Sequence, residues 1–351
     1  MPTKIEWTDE RWNPIIGCSK ISPACDNCYA ERMACRLATM PATAASYGQV
    51  VDLSTRAWNG TTALVESALA TPLSWRKPRR VFVGSMTDLF HPTVPDEWLD
   101  CVFAVMAITP HITYQILTKR PERMREYLSE GTDPYITERW CNAAIEMKID
   151  DMEDDWDKFP LPNIWLGVTA EDQPRAEERI PILINTPAAV RYVSYEPGLG
   201  AVDLDRLQEE GATYHALSGS VGVEGRGQAP YRKLDWVICG GESGPGARPM
   251  HPDWARRLRD QCQEAGVSIF FKQWGEWFVP EDGARACRVC GCTEHNACDE
   301  RCWWVEEDLC SSCVGKPAPA GDRPVKFRRI GKKAAGRKLD GREWNEFPNN
   351  S

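Results

Sequence analysis

Residues 12–33, WNPIIGCSKISPACDNCYAERM, carry Cys18, Cys25 and Cys28 in the spacing C-x6-C-x2-C. Three thiolates on one short segment can hold metal but leave a four-ligand set incomplete. A structural zinc takes four protein ligands, and the first histidine in the chain is distant, at His91. A cubane iron–sulfur cluster normally takes four cysteines; with three, one iron stays open to another molecule. Such an iron can chelate the amino and carboxylate groups of S-adenosylmethionine. An electron from the [4Fe-4S] cluster can then break the sulfonium bond and release an adenosyl radical. Cys35, seven residues after Cys28, could share a helix face with it but reads as a buried small hydrophobe.

A second cluster, CRVCGCTEHNACDERCWWVEEDLCSSC, occupies residues 287–313. Cys287 with Cys290 and Cys310 with Cys313 form two C-x2-C pairs at zinc-ribbon spacing. Each pair makes a knuckle, and together they complete a tetrahedral zinc site. Cys292, Cys298, Cys302 and His295 remain as ligands of a second site or as alternatives at the first. A second iron–sulfur cluster is the competing expectation, and it could pass electrons or anchor substrate. Trp303 and Trp304 lie inside this segment. One is expected in a small local core, and the other could stack on an unpaired base.

Other reactive side chains recur where short apolar runs end. Asp88 closes RVFVGSMTD, Lys119 and Arg120 close HITYQILTKR, and Glu171 stands near the end of NIWLGVTAED. Glu196 closes AAVRYVSYEP, Glu242 follows DWVICGG, and Lys272 with Gln273 ends SIFFKQ. Chemistry in parallel α/β barrels sits at such strand ends, because the loops there converge on one mouth. A single one of these groups is ordinarily a cap or a surface charge; with the cysteine loop after the first run, seven ends in register suggest a ring. Asp88, Glu171, Glu196 and Glu242 would meet an amine or ribose hydroxyls. Lys119, Arg120 and Lys272, with Gln273, would meet a carboxylate or phosphate and are the catalytic candidates. Gly240 and Gly241, beside Glu242, would let a ligand approach the backbone closely.

The elements that must position these groups alternate. Apolar runs precede helical stretches from residue 80 onward, which argues for βαβ units and a parallel sheet buried on both faces. With an early strand at RWNPIIG (11–17) the count is about seven. That suits a partial or closed (β/α) TIM-type barrel, with a doubly wound open sheet as the alternative. The barrel is assigned to residues 1–280, with helical insertions at about 40–75 and 120–160. The acid-rich DDMEDDWD falls in the second of these. GSVGVEGRGQ (219–228) reads as a mobile glycine-rich loop. Residues 281–318 form the cysteine-rich insertion, and 319–351 a basic segment returning to the barrel.

At 42% hydrophobic and 26% charged residues, the chain has a globular composition. No run of about 18 apolar residues exists, so no membrane partner is expected. The opening residues lack the apolar core of a signal peptide, and the expected location is the cytoplasm. There, fifteen cysteines point to metal rather than disulfides. A net charge of −9 argues against a surface that attracts nucleic acid everywhere. KFRRIGKKAAGRK (326–338) nevertheless carries seven basic residues and no acid, which would suit a phosphate-bearing partner.

Three clustered cysteines after the first strand of a barrel resemble the radical S-adenosylmethionine enzymes. The usual spacing there is C-x3-C-x2-C with an aromatic before the last cysteine; here the first gap is longer and Asn27 takes the aromatic position, with Tyr29 following. A broader resemblance covers nearly the whole chain. IEWTDERWNPIIGCSKISPACDNCYAERM, RKPRRVFVGSMTDLFH, YQILTKRPERM, WLGVTAED, WVICGGESGPGARPM, FFKQWGEW and GKKAAGRKLDGREWNEFP are similar to motifs of an uncharacterised phage-encoded family also found in bacteria. That family is regarded as radical-SAM-like, with a suggested relation to photoproduct lyase. The resemblance implies cluster ligation by Cys18, Cys25 and Cys28. It makes Glu242 and its glycines candidates for the methionyl end of S-adenosylmethionine. It also implies an electron donor such as flavodoxin or ferredoxin, and a host-cytoplasm location if phage-encoded. A nucleotide or nucleic-acid base is the expected substrate. The alternative is a non-catalytic, zinc-dependent nucleic-acid-binding protein.

Overall fold

A computed structural model describes residues 3, 5–129, 135–149, 159–209, 211–280, 284–298 and 302–348. The acid-rich DDMEDDWD lies outside them. Seven strands form the central sheet: β1 (Glu10–Trp12), β2 (Arg79–Val83), β3 (Ile112–Thr118), β4 (Ile164–Thr169), β5 (Val190–Tyr195), β6 (Trp236–Gly240) and β7 (Ser268–Gln273). All pairs are parallel, and the order across the sheet is the order along the chain. A doubly wound sheet would reverse that order at a switch point, and none occurs here. The sheet curls in one direction into a half-barrel, and β1 is not paired with β7. A closed barrel is therefore not formed.

Helices follow most strands. They are α1 (Tyr29–Leu37), α2 (Asp96–Ala107), α3 (Pro121–Ser129), α4 (Tyr135–Glu146), α5 (Gln173–Asn185) and α6 (Pro252–Ala265). Capping fixes a start and an end: the Asp172 carboxylate accepts from the Arg175 N–H at 3.1 Å at the start of α5, and Gly266 closes α6 in the left-handed region at φ 64°.

The strands obey a period of two. Val81, Ile116, Leu166, Val193, Val237 and Phe271 face the helices and join one large core with Leu99, Phe103 and Leu258. The alternate residues face inward. Trp165, Tyr192, Trp236 and Phe270, with Phe82, Leu117 and Trp7, fill the lower half of the half-barrel with mostly aromatic side chains. One step further along the same face stand Gly84, Thr169 and Ser194, all small, and there a cavity opens.

The C-terminal residues cover the free side. The Phe271 N–H donates to the Trp344 carbonyl at 2.8 Å, and Glu346 N–H to Ile269 O at 3.2 Å. The Phe347 ring then lies 5.2 Å from Trp236 and 3.9 Å from the Arg80 guanidinium on β2. The return of the basic segment to the barrel thus fills the gap between its edges.

Three expectations need correction. Residues 40–75 are not chiefly helical: Val51–Asp52 pairs with Ala57–Trp58, Ile15–Ile16 pairs with Ala63–Leu64, and the VESALA helix is one turn, Glu66–Leu69. The early strand accordingly splits, with only Glu10–Trp12 in the main sheet. GSVGVEGRGQ is not an unstructured loop. Ser220–Val223 and Gly227–Pro230 form a hairpin in a four-stranded antiparallel sheet, with Gly225 and Gly227 at positive φ in the turn. Among the described residues no helix is long and apolar enough to cross a membrane.

Candidate functional site

Cys18, Cys25 and Cys28 sit on the connection from β1 to α1. Gly17 precedes the first at φ 98°, and a Cβ there would stand 2.2 Å from the Thr61 carbonyl. Its N–H donates to Met86 O at 3.1 Å, and its carbonyl accepts from Thr87 Oγ1 at 2.7 Å. The chain is thereby pinned to the loop after β2 just before Cys18. Cys25 ends a short 3-10 turn, Pro23–Cys25, and Cys28 stands at the N-cap of α1. All three cysteines line one cavity of about 310 Å³ at the C-terminal mouth of the half-barrel. Asp88, Lys119, Arg120, Glu196, Gly241, Glu242 and Lys272 line the same cavity.

The charged groups there are paired, Lys119 excepted among the described residues. Arg120 donates to the Asp88 carboxylate at 2.9 Å, and both are buried. Asp88 also accepts from Thr118 Oγ1 at 2.6 Å, the Lys119 N–H at 3.0 Å and the Phe90 N–H at 3.1 Å. Arg120 reaches onward to Ser19, donating to its carbonyl and hydroxyl at 3.0 Å each, and its Nη1 stands 3.9 Å from Cys18 Sγ. Burial and the nearby Asp88 charge push the Cys18 thiol up to about 11, with Arg120 acting against them. Arg120 is thus a tie between β3 and the cysteine loop.

Across the mouth, Lys272 Nζ donates to Glu196 Oε1 at 2.6 Å. Burial disfavours the ammonium, but Glu196 outweighs it and holds the Lys272 pKa above its ordinary value. Glu242 accepts from the Arg248 N–H at 2.7 Å, from its guanidinium at 2.7 and 2.9 Å, and from Asn27 Nδ2 at 3.1 Å. Burial raises the Glu242 pKa, but these donors outweigh it and leave the carboxyl below its usual range. Arg248 also donates to the Pro23 carbonyl at 2.8 Å, so it clamps the loop from the β6 side.

Glu171, Gly240 and Gln273 do not line the cavity. Glu171 is fully buried and paired with Arg179 at 3.0 Å, which pins α5 to the end of β4. Gly240 makes room for a side chain instead of a ligand: a Cβ there would lie 3.2 Å from Glu196 Oε1. Gln273 turns back to donate to the Gly241 carbonyl at 3.3 Å. Gly241 lies at the cavity, yet packing alone demands it, because a Cβ would meet the Trp274 carbonyl at 2.3 Å. Asn27, Ser19 and Arg248 were not among the expected site residues. Their signal is faint: each is a polar residue within a quoted motif, and its partner is fixed only by the fold.

The second cysteine group forms its own small core with Leu309, around the hairpin of Trp304–Glu306 and Leu309–Cys310. Gly291, at φ 68°, turns the chain so that the Cys287 N–H reaches the Cys292 carbonyl at 2.9 Å. The Sγ atoms of Cys287, Cys290, Cys292 and Cys310 lie within 4.8 Å of one another, as do those of Cys292, Cys298, Cys302 and Cys310. This cluster can hold a metal ion. Cys292 thus stands in the first converging group where Cys313 was expected, and Cys313 is buried in the same small core. The tight turn at Gly291 accounts for the difference. His295 is exposed and belongs to neither group. Trp304 packs in this core beneath Arg285, 4.3 Å away, and Trp303 is 67% exposed.

Several basic residues of 326–338 are engaged internally. Arg329 donates to the Gly244 carbonyl at 2.8 Å, Lys332 pairs with Glu6 at 3.4 Å, and Arg337 bonds to Asn345.

The chain matches the family described as "Protein of unknown function (DUF5131)" over residues 2–348, and it belongs to that family. No curated protein and no solved structure matches it.

Proposed function

We propose that this DUF5131 member is a radical S-adenosylmethionine enzyme acting on a nucleotide or nucleic-acid base. One observation carries the reading: three cysteines from one loop line the cavity at the strand ends, and its lining holds no histidine and no further cysteine. The donor set fits a [4Fe-4S] cluster held at three corners, with Cys18, Cys25 and Cys28 as its ligands. When bound and reduced by a flavodoxin- or ferredoxin-type donor, the cluster supplies the electron that cleaves the sulfonium and yields an adenosyl radical.

The chain's own residues bind and orient. Arg120 and Arg248 hold the cysteine loop from opposite sides. Glu242, kept ionised by Arg248 and Asn27, offers a carboxylate to an ammonium group. Glu196, held by Lys272, offers one to ribose hydroxyls. Lys119 lines the cavity without an ion pair among the described residues, so it is the cation left for a substrate phosphate or carboxylate. The aromatic floor excludes water from below, which would protect a radical.

The test is anaerobic reconstitution with iron and sulfide, followed by S-adenosylmethionine and dithionite. The expected result is a brown protein that forms 5′-deoxyadenosine, with both properties lost from the first site in Cys25→Ala. Iron that stays in a Cys18/Cys25/Cys28→Ala variant would belong to the second cluster. A wild-type chain that takes up no iron, or Cys25→Ala forming 5′-deoxyadenosine at the wild-type rate, removes the reading. The zinc-dependent nucleic-acid-binding alternative then stands on the second cluster.

A further inference from the structure

The seven C-terminal cysteines lie outside the cavity, and the proposed reaction makes no use of them. None of them is in a disulfide. We infer that they hold two divalent zinc-type ions and that both ions share the thiolate of Cys310.

The argument begins with counting. Two tetrahedral ions need eight donors, and the segment supplies seven thiols. His295 is exposed and stands outside both groups of converging ligands, so one sulfur must serve twice. Geometry selects it. Cys310 Sγ lies 3.7 Å from Cys290 Sγ and 3.5 Å from Cys298 Sγ. Zinc–sulfur bonds of about 2.3 Å place the sulfurs of one tetrahedron about 3.8 Å apart. Both separations therefore suit sulfurs that share an ion with Cys310, and Cys310 belongs to both groups of converging thiols.

The remaining thiols sort into these groups. Cys287 and Cys290 belong to the knuckle turned by Gly291, and the Cys310 N–H donates to Cys287 Sγ at 3.5 Å. Cys313, buried in the same small core as Cys287 and Cys310, is assigned as the fourth ligand of this set. Cys292, Cys298 and Cys302 converge with Cys310 within 4.8 Å and form the other. Cys292 also lies within that distance of Cys287 and Cys290, as expected where two tetrahedra meet at a corner. Each thiol loses its proton on binding, and seven thiolates around two dications leave net negative charge. Arg285 and Arg323 donate to backbone carbonyls of the same segment, at 2.6 Å to Glu307 and 3.5 Å to Ala286, and bring positive charge to it.

The test uses the full chain expressed with zinc, read by native mass spectrometry and metal analysis. Wild type should carry two zinc ions, and the Cys298→Ser/Cys302→Ser variant one. Cys310→Ser should lose tight binding of both. Replacing zinc with cobalt(II) adds a readout that does not depend on Cys310→Ser folding. Two cobalt ions joined through a thiolate couple magnetically, so the wild-type EPR signal should fall below that of two isolated ions. The one-ion variant should give full intensity per cobalt. A single zinc in wild type, two uncoupled cobalt ions, retention of both ions by Cys310→Ser, or iron with sulfide in this segment of the Cys18/Cys25/Cys28→Ala variant each overturns the inference. None of these outcomes bears on whether the first site cleaves S-adenosylmethionine.

Discussion

Asp88 shows what single residues do at the mouth. Its carboxylate collects a guanidinium, a hydroxyl and two backbone N–H groups. Replacing it with alanine leaves the buried Arg120 without its counter-charge, and an uncompensated buried charge costs about 3–5 kcal/mol. Urea denaturation of Asp88→Ala should show a loss of that size, whereas truncating Lys119, which has no ion pair among the described residues, should cost under about 0.5 kcal/mol. The residue types of this site were legible in the sequence because each follows an apolar run. Their roles were not. Asp88 and Arg120 are 32 positions apart, and Glu196 and Lys272 are 76. Nothing local to either position announces the pairing. Glu171 looked equivalent to its neighbours at other strand ends and proved to be a buried partner of Arg179. Only the helix packing decides which strand-end acid faces the cavity.

At the scale of elements, the inward faces of adjacent strands must share limited space. Gly167 on β4 is in register with Tyr192 on β5, and a Cβ at Gly167 would lie 2.4–2.6 Å from that ring. Gly167→Ala should therefore overpack the floor and cost about 1–3 kcal/mol. Tyr192→Leu in the same chain should recover part of the loss in thermal denaturation. Tyr192→Phe should recover none, because it keeps the ring and gives up the hydrogen bond to the Ile116 carbonyl at 2.9 Å. Six of the seven sheet strands were readable from their apolar runs, since burial on both faces leaves few polar residues in them, while the first, Glu10–Trp12, carries two charged residues. The hairpin at 220–230 was not: its strands are short, mostly exposed, and carry glycine and proline. Residues 40–75 misled for a related reason. Two-residue strands are too short to show any period.

For the whole molecule, the question is what keeps an incomplete barrel shut. The C-terminal return covers the free side, and it is latched to α6 through Asp340. That carboxylate accepts from Arg256 Nε at 2.9 Å and Arg259 Nη1 at 2.6 Å. Burial pushes its pKa up, but the two guanidiniums outweigh burial and hold it below the ordinary value. A carboxyl depressed in the folded state stabilises fully above its unfolded pKa of about 3.9, and the contribution is lost as pH falls through the lower folded value. Acidification below about pH 4 should thus release residues 336–348 before the aromatic floor gives way. Limited proteolysis with an acid-active protease would show cleavage there first. Asp340→Asn isolates the charge, because asparagine tolerates the left-handed backbone that Asp340 adopts at φ 50°. The variant should expose the segment already at neutral pH and show a flatter response to acid. If wild type and Asp340→Asn are cut alike at every pH, the latch lies elsewhere along the return, with Phe347 between Trp236 and Arg80 the next contact to remove.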